Sequence, residues 1–153
     1  MQYMARIDRI AEMILQELAR DGRISNLALA ERVGLSPSAC LRRVQELERA
    51  GVIAGYRARI DRRALGQGFL AYVTVGLSTH TKAAQEEFQR AMAAAPQVRE
   101  CHNVTGAVEY LLRVEAVDLD DYKSFHTDLL GALPYVTAIT TYVVIGSPKD
   151  ERA

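Results

Sequence analysis

GLSPSACLRRVQELERAGVI, residues 34–53, carries a turn, a helix start and a helix end within twenty residues. Gly34-Leu35 makes a tight turn, and Ser36 supplies a side-chain oxygen to cap a helix. Pro37 falls in the first turn, where a missing N–H removes no hydrogen bond. The helix runs to Arg49-Ala50 and stops at Gly51. Leu41, Val44 and Leu47 carry the 3–4 spacing of an inward stripe. That spacing leaves Ser38, Arg42, Gln45 and Arg49 along one outer row, with Ala39, Arg43 and Glu46 beside it. Small residues at the helix tip permit close approach to a phosphate backbone, and the free N–H groups there suit an anion. Arginines one turn further along can reach base edges or phosphates. The same row also reads as a solvated charged face, the common fate of surface arginines.

Residues 7–20 place Ile7, Ile10, Ile14, Leu15 and Leu18 on one helical face, and Asp21-Gly22 ends that helix, glycine accepting the left-handed turn. Ser25 caps a second helix over 26–33, with Leu27, Leu29 (or Ala30) and Val33 pointing inward. Three short helices with a glycine turn between the second and third form a helix-turn-helix. Arg23 and Ser25, at the start of the second helix, are candidate backbone contacts. After Gly51 the pattern VIAGYRARID alternates around Gly55 and predicts a two-stranded wing, from which Arg57 and Arg59 would flank a duplex. The DNA-binding domain is thus expected over 1–61, a linker over 62–68 (RRALGQG), and a second domain over 69–153.

That second domain reads as a strand (69–78), an Ala-rich helix (82–95), strands at 97–104 and 109–116, a helix (118–133) and a last strand (136–146). The order βαββαβ is that of a ferredoxin-like sandwich, an α+β fold with both helices on one face of a four-stranded sheet. Its other face, with Phe69, Tyr72, Leu111 and Tyr142, is too apolar for a soluble monomer and predicts a homodimer.

The chain has 153 residues and no net charge, but the zero hides a division. Residues 1–64 hold twelve arginines and no lysine against eight acids, a net of +4; residues 65–153 carry −4. A polyanion would be steered to the first half. Met1–Arg6 lead straight into a helical pattern without an apolar signal core, no stretch approaches a membrane span, and Cys40 and Cys101 lie far apart. These features fit a reducing cytoplasm, with both cysteines read as small buried side chains. His80, His102 and His126 offer raw material for an enzyme, but no nucleophile–base motif, phosphate-cradling loop or metal-ligand spacing joins them. No catalytic residue, metal or cofactor is expected.

Five stretches, DGRISN (21–26), RVGLSPSACLRRVQELERAGVI (32–53), ECHNVTG (100–106), EYLLRV (109–114) and TYVV (141–144), resemble the Lrp/AsnC family across nearly the whole chain. The resemblance implies a transcriptional regulator: a DNA-binding winged helix-turn-helix and a RAM-type ligand-sensing domain that pairs into dimers and assembles dimers into octamers. It also implies an amino-acid effector held between dimers by Thr105, Gly106, Ala107, Val108, Glu109 and Tyr110, completed by Thr140 of a neighbour. Backbone N–H groups around Gly106 suit a carboxylate and an acid suits an ammonium. Here the family pattern departs: Ala107 and Glu109 stand where aspartates are common. Two other functional classes compete: an assembly or ligand-binding module whose helical half only packs, and a small ferredoxin-like enzyme.

Overall fold

The computed structural model describes residues 7–150; the reading of Met1–Arg6 lies outside them. The chain divides into two compact units, one up to Ala58 and one from Arg59.

In the first unit, Asp8 caps helix α1 (Arg9–Arg20), its carboxylate accepting the Ala11 N–H at 2.9 Å. α1 does not end on a left-handed glycine. Asp21 leaves the helix in an extended conformation and accepts the Arg23 N–H, so Gly22 needs no positive φ. Ser25 caps α2 (Asn26–Val33), which ends at Gly34 with φ +71°, a conformation that favours glycine. Ser36 caps α3 (Pro37–Arg49) by accepting the Ala39 N–H at 3.3 Å. Ala11, Ile14, Leu29, Ala30, Val33, Cys40 and Leu47 form the core, with Ile10, Leu15, Leu18, Val44 and Ile53 packed around it. Each large apolar side chain fully buried there contributes about 1.5–3 kcal/mol.

Three residues expected inside are exposed: Ile7, Leu27 and Leu41. For Leu41 the reason is angular. The buried stripe of α3 centres on Cys40 and Leu47, and Leu41 lies about 100° round the helix from Cys40.

The expected wing is not a hairpin here. Residues 52–61 hold no paired strand, and Gly55 takes φ +152°, which breaks the alternation a strand needs. A lone two-stranded ribbon is marginal in water. Instead the Tyr56 hydroxyl donates to Glu48 at 2.9 Å, fastening the segment to α3. The stretch expected as linker, 62–68, is also ordered. It contains a 3-10 turn, Arg63–Leu65, and Arg62 reaches Gln67 at 2.9 Å and Glu115 at 3.1 Å, so it belongs to the second unit.

The second unit is an antiparallel sheet in the order β2-β3-β1-β4, built from β1 (Phe69–Leu77), β2 (Val98–Asn103), β3 (Tyr110–Ala116) and β4 (Val136–Val143). α4 (Lys82–Ala94) follows β1; α5 (Leu119–Ser124) follows β3 and continues as a π-helical turn, Phe125–Leu130. Alternation gives one face Ala71, Val73, Val75, Tyr110, Leu112 and Val114, buried with Phe88, Met92, Tyr122 and Leu130 of the helical layer. Phe69 shares this face and stacks on Tyr122 at 5.0 Å, so it is not part of the outer face as expected.

The outer face carries Tyr72, Leu111 and Tyr142 as foreseen, with Tyr142 59% exposed. It is less apolar than the pattern implied. Arg113, only 9% exposed, pairs there with Glu115 and lies 3.6 Å from Asp150. Burial works against its charge, but Glu115 and a hydrogen bond to Tyr72 outweigh it and hold the guanidinium pKa above its ordinary value. Of the cysteines, Cys40 is buried but Cys101 is exposed, because it sits on the edge strand β2.

Candidate DNA interface and effector face

α3 presents Ser38, Arg42, Gln45 and Arg49 to solvent in one row, as its spacing predicts. Its first turn is small and polar, with Ser36 Oγ 3.3 Å from Ser38 Oγ. The Ser25 and Ser36 hydroxyls cap helices and shape the approach. Arg49 turns back, its Nε donating to the Gln45 carbonyl at 3.2 Å. Arg23, Pro37 and Arg57 are exposed and Ala39 is half-buried. Arg59 is exposed too, but falls in the second unit.

The adjacent arginines differ. Arg42 has a side chain 70% exposed, 3.9 Å from Glu46. Arg43 is 26% exposed, and its Nη2 donates to Asp8, the cap of α1. Arg43 therefore points along the domain surface toward α1 and not outward with the row. Leu41, 47% exposed beside Arg42, joins the outer surface. Sequence reasoning missed it because a leucine at 3–4 spacing reads as core; the signal was its neighbour Cys40, which takes the buried position.

In the second unit, the loop from Val104 to Glu109 is closed by the Val104 N–H donating to the Glu109 carbonyl at 2.9 Å. Thr105, Gly106 and Ala107 are exposed at its tip, Val108 is half-buried, and Gly106 has φ +140°, which an L side chain rarely adopts. Glu109 is the best-placed group. Its Oε2 accepts the Leu77 N–H at 2.6 Å and its Oε1 lies 3.4 Å from His80 Nδ1. Leu77 sits where the pairing of β1 with β4 slips, and a bulge leaves such an N–H without a ladder partner. Glu109 supplies that partner.

Thr140 lies on the same outer face as Glu109, opposite Thr74. Tyr110 does not join them. It is buried against Phe88, and its hydroxyl accepts from Gln89 at 2.8 Å. Strand geometry explains this: Tyr110 opens β3 with its side chain on the core face, and Glu109 just before it turns the other way. A cavity of about 560 Å³ lies elsewhere on the outer face, lined by Tyr72, Val144 and the chain from Gly146 to Asp150.

The other histidines are dispersed. His102 meets Glu100 at 3.2 Å, and His126 packs against the Tyr122 ring. Among the described residues no group of three or more His, Cys, Asp or Glu side chains is placed to hold a metal, and no helix is long and apolar enough to cross a membrane.

Comparison with known proteins joins the two units. Residues 7–54 match the family model described as winged helix-turn-helix DNA-binding, and residues 70–153 match the Lrp/AsnC ligand binding domain. The chain belongs to the Lrp/AsnC family. It is 41% identical over 146 residues to the leucine-responsive regulatory protein of Escherichia coli K12, covering 95% of this chain and 89% of that one. Among solved Lrp/AsnC structures, a Neisseria meningitidis transcriptional regulator in complex with L-Met superposes with a TM-score of 0.90 at 33% identity, covering 94% of this chain and 93% of that one. An AsnC family regulator from Agrobacterium tumefaciens gives 0.88 at 27%, covering 94% of each chain. This Lrp/AsnC protein is a DNA-binding transcriptional regulator with a ligand-binding domain.

Proposed function

We propose that the regulator binds a roughly palindromic DNA site as a homodimer, with Ser38, Arg42, Gln45 and Arg49 of α3 in the major groove. Arg23 and Arg57 of the same unit take flanking phosphates. The observation that carries this reading is the exposed row on α3, set behind a capped helix tip that can approach a phosphate closely. The dimer forms through the outer sheet face, where Tyr142 stands in water in the single chain. Dimers assemble further, to an octamer, and the protein acts in the cytoplasm without catalysing a reaction.

The effector is an amino acid held at residues 105–109 between dimers, with Thr140 of a neighbouring copy completing the site. Exposed loop N–H groups around Gly106 suit its carboxylate, and Glu109 suits its ammonium. Effector binding changes how dimers associate and so the spacing of the DNA-reading helices. L-methionine and L-leucine are the first probes, from the L-Met complex of the Neisseria relative and the curated relatives named for leucine response.

The test is fluorescence anisotropy on the DNA upstream of the protein's own coding sequence, titrated across salt with and without each probe. A specific complex should lose affinity with a log–log slope near −0.9 for each phosphate neutralised. Absence of binding at low salt, with and without the probes, refutes the DNA reading. Sedimentation at micromolar concentration should give a dimer or larger; a monomer refutes the sheet-face pairing.

A further inference from the structure

Two side-chain hydrogen bonds tie α3 to the two helices that precede it, and they lie well apart along its axis. At the tip, Asn26 Nδ2, from the first residue of α2, donates to the Pro37 carbonyl at 2.8 Å. Further along, Arg43 Nη2 donates to Asp8 Oδ1. Six residues separate Pro37 from Arg43, about 9 Å of helix. A rod held at one point can pivot, whereas a rod held at two points this far apart has its tilt set.

The second anchor is itself rigid. Asp8 Oδ1 also accepts the Ala11 N–H, and the Asp8 carbonyl accepts the Glu12 N–H at 3.0 Å. Ala11 and Ile14 of the same helix are buried in the core. The Ala11 N–H holds the Asp8 carboxyl below its ordinary pKa, and the Arg43 guanidinium adds to it against the opposing effect of burial. Glu46, 3.9 Å from both Arg42 and Arg43, keeps the second guanidinium turned along the helix.

We propose that Arg43 is a positioning residue of the DNA reader: with Asn26 it mounts α3 at two points, and it does not itself neutralise a phosphate. The proposal rests on the reading of α3 as the helix that meets DNA. Its physical content is a separation of two properties. Attraction to phosphates tolerates a tilt of the helix, because it is long-ranged and carries no sequence information. Hydrogen bonds to base edges do not tolerate it. Loss of the second anchor should therefore reduce discrimination between sequences and leave the salt dependence alone.

The experiment compares full-length wild type, Arg43→Ala, Asp8→Ser, the double variant and Arg42→Ala on the upstream duplex and on a scrambled duplex of equal length, across salt. Serine keeps the cap on α1 while removing the carboxylate. It also removes a negative charge, which electrostatics alone would turn into tighter DNA binding. The expected result is a loss of about tenfold in the specific-to-scrambled ratio for Arg43→Ala and for Asp8→Ser. The double variant should lose no more than either alone, and the salt slope should be unchanged in all three. Arg42→Ala, by contrast, should flatten the slope by about 0.9 if it neutralises one phosphate.

The proposal is overturned if Arg43→Ala flattens the slope as a phosphate contact does while Asp8→Ser keeps or raises specific affinity. It is equally overturned if specific and scrambled affinities fall together in both variants, as general loosening of the domain predicts. Melting curves recorded alongside keep every measurement well below each variant's transition, and Asp8→Ser tests the anchor should Arg43→Ala fold poorly. Failure of the wild type to bind either duplex is a different result, which removes the reading of α3 itself.

Discussion

Glu109→Ala should destabilise the second unit before any effector is considered. The Glu109 carboxylate accepts the Leu77 N–H at 2.6 Å, and Leu77 is buried at the slip between β1 and β4. Alanine leaves that donor without its partner. An unsatisfied buried N–H costs about 1–3 kcal/mol, and for a domain of this size each kcal/mol moves Tm by about 4–8 °C. Calorimetry should therefore show the transition of the second unit falling by roughly 5–20 °C. Glu109→Gln should fall by less, since an amide oxygen still accepts although the help of the charge is lost. Hydrogen exchange supplies the local check: the Leu77 amide should be slow in wild type and fast in Glu109→Ala. An unchanged Tm together with a still-protected Leu77 amide would refute the reasoning and leave Glu109 free for a ligand alone.

Three other outcomes follow from single observations. Leu41→Ala, at an exposed position, should change stability by about 1 kcal/mol or less and still weaken specific DNA binding, measured by melting and anisotropy on one sample. Tyr142→Asp should shift self-association to higher concentration in sedimentation, because it places a carboxylate on the proposed pairing face. The Asp8 carboxyl has its pKa lowered by folding, so the stability it contributes is complete above the ordinary value of 3.8 and is lost as pH falls through the lower folded value. Acid titration of the helical unit followed by circular dichroism should show Asp8→Asn flattening the curve in that window only.

The helices were legible because their ends are written in local chemistry. Asp8 was not foreseen as a cap, but Ser25 and Ser36 were, and the left-handed glycine at 34 closed α2 where the turn required it. The βαββαβ order is legible in a change of period, and Tyr72 falls on the outer face as expected, whereas Phe69, three positions earlier on the same strand, faces the core. Beyond local misreadings at Gly22 and Leu41, what failed were statements needing long-range partners. The two-stranded form expected for the wing needed a strand to pair with, and Tyr56 instead turns to Glu48. Arg43 looked equivalent to Arg42 until Asp8, distant in sequence, claimed it. In the loop, Glu109 and Tyr110 are adjacent in sequence, yet strand geometry sends one to the outer face and the other into the core.

A buried arginine in the middle of an outer sheet face has a consequence for the evolution of relatives within one cell. Arg113 and Glu115 are matched inside their own strand, with Arg62 and Asp150 close by. Any surface laid over them must leave that pairing intact or replace it, because a charge stripped of both water and partner is heavily penalised. A duplicated gene whose product lost one of these acids would present a face that its parent rejects. Were this face the proposed pairing surface, divergence at a few positions of one strand would be enough to split one population into two that ignore each other.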